Sequence, residues 1–300
     1  MMDNLVTSLP NLVEIRLLGC GRCKYLPKLG RLPHLESLEI QRLTELECIE
    51  LDYSSTSTAS FPSLLRLEIQ YCKNLKAMPL TPRLEDLILR EVNLELINQI
   101  IGLDKLKRLD ISQMEFLKRL PDKCLQSLTS LERLCISECA RLTFLSLDMQ
   151  HLSNLVHLSF SNCKELDLSK DESDKILDLL GLKSLRSVDI LGVPKLASLP
   201  QWLLKVDNLE HLSIKKCLNF KALPEQIEGL QSLQQLEIIL CPLLTSLPEG
   251  MQRLTSLSHL KIAGCPNLKE RCKKDTGEDW DKIAHVQHIT HELEYYERHL

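Results

Sequence analysis

A 24-residue frame recurs along nearly the whole chain of 300 residues, and its clearest copy runs Leu233, Leu236, Ile238, Cys241, Leu244, Leu247, Pro248. Frames of this kind start at Leu12, Leu35, Leu64, Leu84, Leu106, Leu131, Leu155, Leu185, Leu209, Leu233 and Leu257, with an even step of 24 from Leu185 onward. A unit this short cannot bury its apolar side alone, so the units must stack and share one core. The repeat therefore overrides the two-domain prior that the length alone would suggest.

Counting the first leucine as position 0, positions 3 and 5 are apolar and alternate with polar neighbours, as in Leu209, Leu212 and Ile214. This is the period-two pattern of a short, half-buried strand. Strands repeated once per coil stack in parallel about 4.8 Å apart, giving an arc of roughly 50 Å. Position 11 supplies another inward apolar group, for example Leu46, Leu75, Leu142, Phe220 and Leu268. Position 14 supplies a third, followed by proline in Leu26-Pro27, Met78-Pro79, Leu120-Pro121, Leu199-Pro200, Leu223-Pro224 and Leu247-Pro248. Proline lacks a donor and has a fixed φ, which suits an irregular return stretch better than a ladder strand. With 67 leucines against five phenylalanines and two tryptophans, the interior is expected to be thin. The fold class that follows is α/β: a horseshoe-shaped leucine-rich-repeat solenoid of about 11 coils, with parallel strands on the concave face and an irregular or short helical convex side.

Twelve cysteines raise the question of disulfides or metal. Seven of them, Cys20, Cys72, Cys139, Cys163, Cys217, Cys241 and Cys265, hold position 8, where other coils carry Leu43, Val92, Met114 and Val193. That exchange calls for buried filling, with a weak S–H donor that can meet the backbone of a neighbouring coil. A disulfide framework belongs to short secreted chains, which this is not. Cys20-Gly-Arg-Cys23 has no second pair at zinc spacing. His285, His288 and His291 recur every third residue and read as an exposed polar helix face. No metal or cofactor is expected. There is no G-x-x-x-x-G-K-[ST] loop, G-x-S-x-G elbow, H-E-x-x-H pair or Rossmann fingerprint, so no enzyme class is indicated.

Residues 1–272 are expected to form the solenoid, with two departures from the frame. The polar stretch at about 52–60, containing Ser54-Ser-Thr-Ser-Thr-Ala-Ser60, has nothing to bury and reads as a loop. Ser169 to Leu180 carries a capping residue, early acids and later apolar groups, which predicts a short convex helix. Residues 273–300 are expected to form a C-terminal capping helix and tail, because Trp280, Ile283, Val286, Ile289, Leu293 and Tyr296 recur at steps of three or four. At the other end, little before Leu9 could cover the first coil. The net charge of −4 argues against a general nucleic-acid binder. No signal-peptide pattern and no run of membrane-span length is present, which points to a cytoplasmic chain, with the nucleus a second compartment.

Function is expected on the concave face, at positions 2, 4, 6 and 7. The candidate protein-binding residues are Arg16, Glu39, Arg66, Glu68, Tyr71, Arg90, Arg108, Asp110, Arg133, His157, Asp189, His211, Lys215, Lys216, Glu237, His259 and Lys261, accompanied by Glu14, Arg42, Asp86, Glu91, Glu138 and Asn162. Charges of both signs alternate, with a modest basic cluster at Lys215, Lys216 and Lys261. A mixed, variable face of this kind suits protein recognition, where charge complementarity sets specificity and on-rate.

The Cys-rich, Leu-Pro-ended repeat, the opening Leu9-Pro10-Asn11-Leu12, and the ending Cys265-Pro-Asn-Leu268, Arg271-Cys272-Lys273, Thr276-Gly-Glu-Asp-Trp280 and Lys282-Ile-Ala-His285 together carry a family resemblance. The chain resembles the C-terminal leucine-rich-repeat part of plant intracellular nucleotide-binding immune receptors of the coiled-coil type. Gln287 departs from the proline usual there. The resemblance implies recognition of a pathogen effector or a guarded host protein, and packing against a nucleotide-binding switch domain. No phosphate loop is present here, so nucleotide binding does not carry over. The alternative is a stand-alone leucine-rich-repeat adaptor or truncated decoy without signalling activity, although no F-box-like helical segment precedes the repeats.

Overall fold

The computed structural model describes residues 8–26, 28–49, 61–79, 81–121, 123–170 and 179–293; the polar stretch at 52–60 and most of the 169–180 insert lie outside these residues. Twelve strands follow one another along the chain: β1 (Glu14–Leu18), β2 (Ser37–Gln41), β3 (Arg66–Gln70), β4 (Asp86–Arg90), β5 (Arg108–Ser112), β6 (Arg133–Ser137), β7 (His157–Ser161), β8 (Ser187–Leu191), β9 (His211–Lys215), β10 (Gln235–Ile239), β11 (His259–Ala263) and β12 (His288–Thr290). They form one sheet in chain order. Every pair is parallel and in frame, so that Leu38 lies beside Leu67 and Ile40 beside Ile69. The same frame position therefore makes a continuous row across the sheet. From β2 to β11 the rows at positions 3 and 5 are 0–1 % exposed. Each such side chain contributes about 1.5–3 kcal/mol by leaving water.

The return stretches are mainly single 3-10 turns, at Leu147–His151, Leu203–Lys205, Glu225–Gly229 and Glu249–Arg253, with one short helix, α1 (Glu95–Asn98). Pro224 and Pro248 stand immediately before two of these turns in extended backbone, ψ 155° and 160°. There no ladder needs the missing N–H. Buried Trp202 donates its indole N–H to Leu168 O at 2.8 Å. Position 8 forms a cysteine ladder: Cys217, Cys241 and Cys265 point their thiols at Ile190 O, Ile214 O and Ile238 O of the preceding coil, at 3.9, 3.7 and 3.7 Å. Burial pushes these thiols up, Cys217 to about 11, and they are free.

Position 7 has a backbone role that the repeat pattern does not announce. In all eleven coils from β1 to β11 it is left-handed, with φ between 48° at Glu91 and 73° at Gly19. Each N–H there donates to the position-6 carbonyl of the next coil, from Gly19 to Gln41 O at 2.9 Å through to Leu240 and Ala263 O at 2.8 Å. That bond turns the chain out of the strand. Only Gly19, Gly192 and Gly264 are glycines; the other coils accept the left-handed cost, about 1–2 kcal/mol per L-residue. A β-branched side chain fits this region worst. Asn162→Val is therefore expected to lower stability by about 1–2 kcal/mol in urea unfolding, and Asn162→Gly by less.

The closing segment corrects two expectations. No single helix runs from Trp280 to Leu293: after α2 (Pro266–Arg271) the chain makes a 3-10 turn at Trp280–Lys282 and then enters β12, which pairs with β11. Ile289 lies beside Leu260, so Val286 opens a twelfth frame. The three-residue spacing that suggested a helix is also the spacing of the solenoid return, as at Ile227, Leu230 and Leu233, all 0 % exposed. The open edge of β11 decides between them, for instance through His288 N to Ser258 O at 2.9 Å. The three histidines consequently do not share a helix face. His285 and His291 approach Leu254 O and Ile262 O, both at 3.2 Å, and His288 stacks on His259 with ring centroids 4.7 Å apart.

A buried carboxylate ties this segment down. Asp279, 0 % exposed, receives Arg271 through Nε and a terminal guanidinium nitrogen, each at 3.0 Å, the Leu247 N–H at 2.9 Å, and Lys282 Nζ at 3.0 Å. Burial pushes its carboxyl up, but the hydrogen bonds from Arg271, Leu247 and Lys282 outweigh that and hold it below the usual range. Lys282 also donates to Leu247 O at 2.7 Å. Gly277 is required nearby, since a Cβ there would sit 2.1 Å from Arg271 O.

Candidate concave recognition face

Strand alternation sends positions 3 and 5 inward and leaves positions 2, 4 and 6 on the concave side, with position 7 at the exit turn. The in-frame register converts the candidates into rows. Position 2 runs Arg66, Asp86, Arg108, Arg133, His157, Ser187, His211, Gln235, His259, His288, and position 4 runs Arg16, Glu39, Glu68, Ile88, Asp110, Cys135, Ser159, Asp189, Ser213, Glu237, Lys261.

From β1 to β5 the face is a lattice of its own ion pairs. Arg16 meets Glu14 at 2.6 Å and Glu39 at 3.5 Å. Arg66 meets Glu68 at 2.9 Å and Asp86 at 3.7 Å, and Arg108 meets Asp86 at 3.9 Å and Asp110 at 3.8 Å. Burial pushes the Asp110 carboxyl up, against the pull of Arg108 and Arg90. These pairs are partly exposed, so they order the surface more than they stabilise it. Tyr71 stands apart, its ring flanked by Arg42 and Arg90 at 5.6 and 5.9 Å.

From β5 to β7 the floor is mostly small: Ser112, Ser137 and Ser161 at position 6 and Cys135 and Ser159 at position 4, before Asp189 and Leu191 of β8 interrupt it and Ser213 follows in β9. Arg133 and His157 stand at position 2 beside it, Glu138 and Asn162 at position 7. Burial and the neighbouring Arg133 push the His157 imidazole down. His211 behaves oppositely: Asp189 at 3.6 Å holds its pKa above the ordinary value despite burial. That imidazolium is present below about 6.5 and is lost as pH rises through the raised value.

From β9 to β12 the expected basic cluster is interrupted. Glu237 lies beside Lys261 in register and bonds Lys215 at 2.7 Å and Ser213 at 3.2 Å. Burial pushes its carboxyl up, but Lys215 overrides this and holds it below the usual range. Lys216 sits at the left-handed turn and His259 on the His288 stack. Sequence spacing brought the candidates to one face, but the pairing of Lys215 with Glu237 and the serine floor were not singled out. Recurrent serine at positions 4 and 6 was the available signal. Among the described residues no group of three or more His, Cys, Asp or Glu is placed to hold a metal, and no helix is long and apolar enough to cross a membrane.

A family model described as R13L1/DRL21 leucine-rich repeats matches residues 2–43. Two relatives from Arabidopsis thaliana are "Probable disease resistance protein At4g27220", 30 % identical over 64 % of this chain, and "Disease resistance protein RPP4", 28 % identical over 75 % of it. The chain spans 20 % of the length of each. Among solved structures it resembles the TLR13 chain of a "TLR13-ssRNA13 complex", with TM-score 0.53 and 20 % identity, covering 88 % of this chain and 41 % of that one. That likeness is of fold alone. The repeat, the parallel sheet and the relatives converge: the chain is a leucine-rich-repeat solenoid, similar over most of its length to plant disease resistance proteins.

Proposed function

We propose that this chain is the protein-recognition module of a plant intracellular immune receptor, cytoplasmic with the nucleus as the alternative compartment, sensing a pathogen effector or a guarded host protein. Residues 1–272 act as the recognising solenoid and 273–300 as its closing segment. The observation that carries this reading is the regular concave face, whose polar rows vary in charge from coil to coil over an invariant core. An invariant scaffold under a variable surface is what protein recognition needs, and its rim charges set on-rate and specificity. A ligand on this face shifts a receptor toward its active state only by binding that state better. In a full receptor carrying this chain, Arg133→Glu with His157→Glu is expected to abolish recognition or to trigger signalling without ligand. Reversing charge on the convex side, as in Arg253→Glu, is expected to do neither. Concave variants that accumulate and respond like the wild type would sink this reading.

A further inference from the structure

The charges of β1 to β5 do not balance evenly, and the imbalance is local. Near Tyr71 every carboxylate already has a cation: Glu39 has Arg16 at 3.5 Å, Glu68 has Arg66 at 2.9 Å, and Glu91 has Lys73 at 2.7 Å. Arg42 and Arg90 have no carboxylate in salt-bridge contact among the described residues. They are held on the Tyr71 ring, one from the coil before it and one from the coil after, with Cζ 5.6 and 5.9 Å from its centroid. Both distances lie within the range of cation–π attraction. Arg90 Nε is buried and has no hydrogen-bond partner, whereas Asp86 Oδ1 and Arg108 Nε, also without a hydrogen bond, face each other at 3.9 Å. A native site keeps few such groups, and Arg90 is the one left with a donor short of an acceptor. On the far side of Arg42, position 7 is Gly19, where a Cβ would meet nothing within 4 Å, so the approach is open.

We propose that Arg42 and Arg90, braced on Tyr71, form a clamp for an acidic segment of the protein partner, each arginine taking a carboxylate side chain of that segment. The inference deepens the concave-face reading and rests on it. With Cζ 5.6 and 5.9 Å from one ring centroid, the two guanidiniums offer separate docking points for successive carboxylates of an acidic segment. Arginine forks bind carboxylates bidentately, with the ring limiting the freedom lost on binding. The Tyr71 backbone is fixed by its left-handed turn, φ 56°, and by its N–H to Arg90 O at 2.8 Å.

The test is an NMR titration of the full chain, labelled at arginine, with a glutamate-rich peptide, and with a lysine-rich peptide and inorganic phosphate as comparisons. The glutamate peptide is expected to shift the Nε–H signals of Arg42 and Arg90 saturably, and the lysine peptide to leave them. Arg90→Gln and Arg42→Lys are each expected to weaken that binding about tenfold, and Lys269→Gln to leave it unchanged. Thermal melting checks that each variant is folded, and the wild-type shifts stand independently of the variants. Unmoved Arg42 and Arg90 signals, or equal response to the lysine peptide, would overturn the clamp. Phosphate acting as strongly as the peptide would assign the site to free oxyanions and likewise overturn it. A partner protein that covers Arg133 and His157 but leaves Arg42 and Arg90 unchanged would overturn the clamp while the concave-face reading stands.

Discussion

Asp279→Ala is expected to destabilise the chain by about 2–3 kcal/mol, the range for leaving a buried donor unmet beside lost hydrogen bonds to a charged group. The substitution takes a carboxylate from Arg271 and Lys282, which keep Glu278 and Glu249, and leaves the buried Leu247 N–H without an acceptor. Asp279→Asn keeps an acceptor and much of the shape but loses the charge, so its effect should fall between wild type and alanine. Lys282→Met removes one cation from a site that keeps Arg271, and should cost less than either. Because the folded pKa of Asp279 is depressed, its contribution is complete above the ordinary carboxylate value of about 3.9 and is lost as pH falls through the lower folded value. Urea unfolding measures the first effect. Amide exchange at β12 locates it, since the strand should fray before the rest of the sheet. An alanine variant with unchanged midpoint and protected β12 would contradict the role given to Asp279.

Leu158→Ala should cost about 2–5 kcal/mol, but its form matters more than its size. Leu158 is fully buried in β7 between Leu134 and Val188 in register. Stability in a stacked array is a sum of coil terms and nearest-neighbour terms, so a defect at the centre weakens the coupling between two halves. The urea transition is expected to broaden or divide. Leu260→Ala makes a similar cavity at β11, one strand from the end, and should fray β11 and β12 while leaving a single main transition. Identical curves for the two variants would mean that the solenoid unfolds as one unit.

Much of this architecture is legible in the sequence because one period repeats it many times. The inward rows follow from leucines at positions 0 and 3 and mainly isoleucines at position 5, and the outward rows follow by alternation. What escaped legibility depends on partners distant in sequence or on backbone angles. Asn162 and Glu138 read as ordinary exposed side chains, although both stand at left-handed turns that any residue type would have disguised. Val286 replaces the usual leucine, so the twelfth frame passed for a helix stripe. Lys215 reads as part of a basic patch in the sequence because its neutralising partner, Glu237, comes from the next coil. Only the fold brings Asp279 to Leu247 and explains why an aspartate stands there.

The most direct measurement is side-chain footprinting of this chain bound to the protein partner proposed for it, compared with the chain alone. The expected result is protection confined to positions 2, 4, 6 and 7, with Arg42, Tyr71, Arg90, Arg133 and His157 among the protected groups. Protection of the convex turns at Glu225–Gly229 and Glu249–Arg253, with those rows left accessible, would contradict recognition by the concave face.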